Sequence, residues 1–153
     1  MLQPISVTDG HGPICREVLQ SLPEWFAIPS SIEAFVAAVD HLPMLACFEP
    51  GGAVAGFVSV KVHTPVASEI YVMGVRRSWH RRGIGRALVE AAARLVALQG
   101  GRFLTVKTLS PSRPDANYAA TRLFYEALGF LPIEELPTLW GPENPCLLML
   151  RPL

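Results

Sequence analysis

The chain has 153 residues, 50% hydrophobic and 17% charged, with 13 basic against 13 acidic side chains. That composition excludes a disordered chain and leaves room for one domain, residues 1–153, with a substantial core. Balanced charge gives no general preference for nucleic acid or an anionic membrane, so neither is expected as a partner. Three scattered cysteines, Cys15, Cys47 and Cys146, fit neither a disulfide framework nor a zinc site; reduced, packed thiols in a cytoplasmic protein without metal are expected. The opening MLQPISVTDGHGP has no signal-peptide pattern, and no apolar run approaches the ~20 residues of a membrane helix.

In chain order, a short strand is expected around Ile5–Val7. A helix follows over Pro13–Leu22, with proline suited to its first turn. SSIEAFVAAVDHL reads as a second helix capped by Ser30 or Ser31, with Ile32, Phe35, Val36 and Val39 on one face. MLACFE, AVAGFVSVKVH and SEIYVMGV have strand character, the first two joined at Gly51–Gly52. The segment from Ile84 to Gly100 predicts a long helix. Ile84, Ala87, Leu88, Ala91, Ala92 and Leu95 form its apolar face, and Arg86, Glu90 and Arg94 form a charged one. RFLTVKTL is a strand. NYAATRLFYEALGF is a helix capped by Asp115 or Asn117 and ended by Gly129, and CLLMLRPL is the last strand. This order gives a mixed α/β or α+β domain.

Five of the 13 basic residues fall between Arg76 and Arg86, around WHRRGIGRAL. Glycines at a helix start, beside arginines, suit a phosphate cradle: bare backbone approaches the ligand and free N–H groups and the helix dipole favour an anion. A dinucleotide fingerprint would need glycine where Leu88 stands, and no Gly-Lys-Ser/Thr follows for a Walker loop. An ordinary tight turn with a solvated basic face is the remaining reading.

HRRGIGRAL resembles the coenzyme A loop of the GNAT superfamily, the GCN5-related N-acetyltransferases, and NYAATRLFYEALGF resembles their Asn-containing helix ending in Tyr-Glu-x-x-Gly-Phe. The resemblance is specific from Glu69 to Phe130; His80 departs from the family's usual Gln or Arg. It implies the GNAT acyl-CoA N-acyltransferase fold, a central, mostly antiparallel sheet with splayed strands flanked by helices. It also implies an enzyme that moves an acetyl group from acetyl-CoA to a primary amine in a ternary complex, with no metal. His80, Arg81, Arg82, Gly83, Ile84, Gly85 and Arg86 would hold the pyrophosphate. Met73, Gly74 and Val75 at the strand end would pair with the pantetheine arm; Gly74 would ease a splay or be a plain strand-end glycine. Asn117 would touch the pantetheine or serve as a helix cap.

By the same resemblance Tyr125 is the general acid, on a face shared with Tyr118, Thr121 and Arg122, while Leu123, Phe124, Ala127 and Leu128 form a buried one. A phenol of pKa ~10 can protonate a thiolate whose acid lies near ~8.5. Glu69, flanked by apolar residues, is the candidate base, directly or through water, with His63 as an alternative. Glu24, Trp25, Phe26 and Trp140, with Glu143 near the last, suit a cationic amine or simple core anchoring. A small-molecule amine is the expected acceptor, a protein lysine or N-terminus the alternative, and a homodimer an allowed assembly. A non-catalytic acyl-CoA-binding sensor is the rival class.

Overall fold

A computed structural model describes all residues, 1–153. Seven strands form a sheet in the order β1-β2-β3-β4-β5-β7-β6, and four helices accompany them. The chain divides into two compact units, residues 1–61 with 70–95 and residues 62–69 with 96–153.

In the first unit, β1 (Ile5–Ser6) pairs antiparallel with β2 (Met44–Phe48), which pairs antiparallel with β3 (Val54–Val62), Ala46 opposite Phe57. Helices α1 (His11–Gln20) and α2 (Pro29–Val39) contribute Cys15, Val18, Leu19, Ile32, Val36 and Val39 to a core with Ala46, Phe57 and Val72. The helices pack closely because Gly12 has no side chain: a Cβ there would lie 3.3 Å from Val36 Cγ1. The Gly12 N–H donates to Asp40 Oδ1 at 3.2 Å. Helix α2 begins earlier than expected. Pro29 occupies its first turn and Ile28 its cap position, so Ser30 and Ser31 lie inside the helix and cap nothing; a fixed proline φ draws the start upstream.

In the second unit, β5 (Phe103–Leu109) pairs antiparallel with β7 (Cys146–Pro152) from Phe103↔Pro152 to Leu109↔Cys146. Helix α4 (Ala116–Ala127) precedes β6 (Leu131–Leu136), which pairs antiparallel with β7 and ends the strand order. Strand β6 is absent from the sequence reading. Its residues LPIEEL alternate poorly, five of the six are exposed, and its register slips between Pro132 and Glu134, as befits an edge strand carrying proline.

Strand β4 (Ala67–Val75) and helix α3 (Ile84–Leu98) contribute residues to both units. Helix α3 buries Ile84, Leu88, Val89, Ala92, Ala93 and Val96. The expected face is therefore rotated: Ala87, Ala91 and Leu95 are only half-buried. All three cysteines are reduced and fully buried. Burial pushes the thiols up, Cys15 to about 12 and Cys47 and Cys146 to about 11.

Candidate functional site

The segment between β4 and α3 is a short 3-10 turn (Arg77–Trp79) followed by a bend through His80–Gly83. Two residues in the bend have left-handed backbone, Arg81 at φ 61° and Gly83 at φ 82°; Arg81 is the one non-glycine residue of the chain with positive φ. Such a conformation disfavours an ordinary side chain. From Arg81 to Arg86 no backbone N–H has a protein acceptor; the bonds resume with Ala87 N–H to Gly83 O at 3.0 Å. Arg81, Arg82 and Arg86 are exposed. Arg82 stacks over Trp79 at 4.6 Å, whose indole N–H donates to Glu49 at 2.7 Å.

The other two basic residues of the cluster are used internally. Arg76 pairs with Glu17 at 2.6 Å and donates through Nε to Val54 O at 2.7 Å. Arg77 pairs with Glu24 and holds that carboxyl below its ordinary range. His80 Nε2 donates to Val75 O at 2.7 Å, and its ring meets Trp25 edge-on at 5.8 Å. His80 thus ties the bend to the end of β4, and Glu24 and Trp25 buttress the bend. Phe26 packs edge-on against Phe35 at 6.2 Å.

At that strand end Met73 and Val75 are half-buried and Gly74 is buried. A Cβ on Gly74 would sit 3.0 Å from Val18 Cγ1 and 3.2 Å from Leu22 Cδ1, so this glycine admits α1 against the sheet. On the neighbouring strand, a Cβ on Gly56 would come within 2.9 Å of Gly74 O. Packing of the Val18 and Leu22 side chains accounts for Gly74, and close backbone approach accounts for Gly56.

In the second unit, Asp115 caps α4, its Oδ1 accepting from the N–H groups of Asn117 and Tyr118 at 2.9 and 3.0 Å. Asn117 is therefore not the cap, and its side-chain amide has no protein partner. Tyr125 is buried between Phe124 and Phe130, edge-on to both at 5.3 and 5.4 Å. Burial, reinforced by Tyr118, pushes its phenol well above the ordinary range, so it stays protonated across neutral pH. The expected faces of α4 are partly exchanged. Tyr125 and Leu128 face inward, while Leu123 and Ala127 are exposed, because the tyrosine ring completes the aromatic cluster with Phe130. Arg122 Nη1 donates to Leu109 O at 2.7 Å, fixing α4 to the end of β5.

Glu69 lies in β4 and is 6% exposed. It has polar company rather than the apolar surroundings expected: Oε1 accepts from His63 Nε2 at 2.6 Å and Oε2 from Lys107 Nζ at 3.0 Å. Lys107 is missed by the sequence reading; its signal is a lone cation inside the strand pattern RFLTVKTL. Trp140 lies in the turn after β6, 45% exposed, with Glu143 nearby in sequence.

Residues 31–132 match the acetyltransferase (GNAT) domain family. Among solved structures, a protein from Desulfovibrio desulfuricans assigned to the GNAT family superposes with a TM-score of 0.85 at 21% identity, covering 99% of both chains. The ribosomal-protein-S18-alanine N-acetyltransferase of Escherichia coli gives 0.75 at 22% identity, over 99% of this chain and 94% of that one. An aminoglycoside 6'-N-acetyltransferase complexed with coenzyme A gives 0.73 at 19% identity, over 97% of this chain and 96% of that one. No curated protein matches the sequence.

Proposed function

Because the chain belongs to the GNAT acetyltransferases, we propose that it transfers an acetyl group from acetyl-CoA to the primary amine of a small molecule, by direct attack in a ternary complex. The observation that carries this reading is the open start of α3. Unpaired N–H groups from Arg81 to Arg86 and three exposed guanidiniums fit a pyrophosphate. The residues present therefore suit the cosubstrate, which supplies an activated acyl group as its thioester. His80 acts here by shaping the bend through Val75 O. Met73, Gly74 and Val75 are assigned to the pantetheine arm, as is Asn117, whose amide is available.

Tyr125 is assigned as the acid that protonates the departing thiolate; its buried phenol holds the proton until it is needed. Glu69 belongs to the centre that accepts the amine's proton. A small amine is retained as the acceptor because Trp140 offers an exposed indole face for a cation; enzymes for an aminoglycoside and for a ribosomal-protein alanine both share the fold.

Calorimetric titration with acetyl-CoA and free coenzyme A tests the cradle. Wild type binds in the micromolar range, and an Arg82→Glu, Gly83→Asp double variant does not. Tyr125→Phe keeps that affinity and loses roughly 100- to 1,000-fold in kcat, the scale of a lost general acid. A folded wild type that does not bind rules the transferase reading out. Binding without turnover on any amine points to an acyl-CoA-binding sensor.

A further inference from the structure

Resting on the transferase reading, we propose that His63 is the group that takes the proton from the acceptor amine, with Glu69 behind it as a positioning residue. Glu69 is poorly placed to act alone. Its side chain is 8% exposed and each carboxylate oxygen already accepts a hydrogen bond, one from His63 and one from Lys107. The His63 side chain is 41% exposed.

The hairpin that carries His63 is fixed by its own backbone. His63 N–H donates to Ala67 O at 3.0 Å and Thr64 N–H to the same oxygen at 3.1 Å. An ionised carboxylate only accepts, so the hydrogen between Glu69 and His63 belongs to Nε2. In the neutral imidazole the lone pair is then on Nδ1, which has no protein partner. A carboxylate selects the tautomer, and the second nitrogen of a partly exposed ring is left to work, the arrangement by which a third group orients a base. The charged groups facing the imidazole are Glu69 from β4 and, behind it, Lys107 from β5; the β7 thiol of Cys146 is buried. Lys107 engages the second carboxylate oxygen and fixes the rotamer of Glu69.

The step balances. The substrate ammonium gives one proton to His63 Nδ1, leaving the imidazolium paired with Glu69, and that proton passes to solvent. The freed nitrogen lone pair forms the C–N bond to the acetyl carbonyl carbon and the C–S bond breaks. The second proton leaves the nitrogen for solvent as the amide forms, Tyr125 protonates the thiolate, and solvent returns a proton to the Tyr125 phenolate, so amide, free coenzyme A thiol and one solvent proton result.

The test compares His63→Gly, His63→Gln and Glu69→Gln by thiol release, with an aminoglycoside, spermidine and a peptide beginning with alanine as acceptors, beside acetyl-CoA calorimetry. On the probe that wild type acetylates fastest, His63→Gly loses about 100-fold or more in kcat, with acetyl-CoA affinity within twofold. Added imidazole restores part of the rate, saturably. His63→Gln shows the same loss without rescue, and Glu69→Gln a smaller loss that imidazole leaves unchanged. Near wild-type kcat in both His63 variants overturns the proposal, as does a loss in folded His63→Gly that imidazole never relieves. Wild type that binds acetyl-CoA but acetylates no probe overturns it in favour of the sensor reading. Wild type that does not bind acetyl-CoA removes the transferase reading itself.

Discussion

The starts of α3 and α4 present the same physical problem and resolve it in opposite ways. The first N–H groups of any helix lack intrahelical acceptors. At α4 the protein supplies them: Asp115 accepts from Asn117 and Tyr118. The loop before α4 is secured as well, with Ser110 and Ser112 donating to Glu135 and Arg113 to Asn144. At α3 it supplies none, leaving N–H groups from Arg81 to Arg86 open beside arginines and a glycine at φ 82°. One helix start is closed by the chain itself, and the proposed function assigns the other to an anion from outside.

The strongest way to break that contrast is to give α3 a carboxylate of its own. Gly83→Asp should weaken acetyl-CoA binding at least about 100-fold, roughly 2.7 kcal/mol, as read by calorimetry. Unchanged affinity in a folded variant would mean that the open start binds nothing. The converse change, Asp115→Ala, should destabilise the protein by about 1 kcal/mol in urea unfolding. Acetyl-CoA affinity should stay within twofold and Asp115→Asn should recover most of the stability. Arg82→Ala, which removes one solvent-exposed charge from the open start, should weaken binding only about three- to tenfold. That effect should shrink as salt rises from about 50 to about 500 mM, a range of falling Debye length.

The smallest effect concerns the latch before α4. Ser112 and then Ser110 hold the Glu135 carboxyl below its ordinary range. A carboxyl depressed on folding adds stability above its unfolded pKa, about 4.3, and that contribution is lost as pH falls through the folded value. Glu135→Gln should therefore lower the urea midpoint slightly at neutral pH, where the carboxyl's contribution is present, and flatten the decline of the midpoint below about pH 4.5. An undiminished acid slope would show that this carboxyl contributes nothing to it.

Much of this was legible in sequence because glycine and proline patterns report backbone demands directly. HRRGIGRAL and the helix ending in Gly129 lie where expected, and all five of the long runs became strands. Partners distant in sequence were not legible. Lys107 and Glu69 are 38 positions apart, and nothing local marks them as a pair. Tyr125 turned inward because Phe130 lies beyond the helix and completes a ring cluster with it. Strand β6 escaped notice because pairing with β7 creates it; its own residues, with Pro132 and adjacent glutamates, have weak strand preference.

The fate of the three cysteines has a practical corollary. Each side chain is sealed from solvent and its thiol resists ionisation near neutral pH. A disulfide reagent added to a reaction mixture should therefore react with newly released coenzyme A and leave the native enzyme untouched. Product formation can be followed continuously, without blocking the protein first, and a slow rise in signal from protein alone would report unfolding.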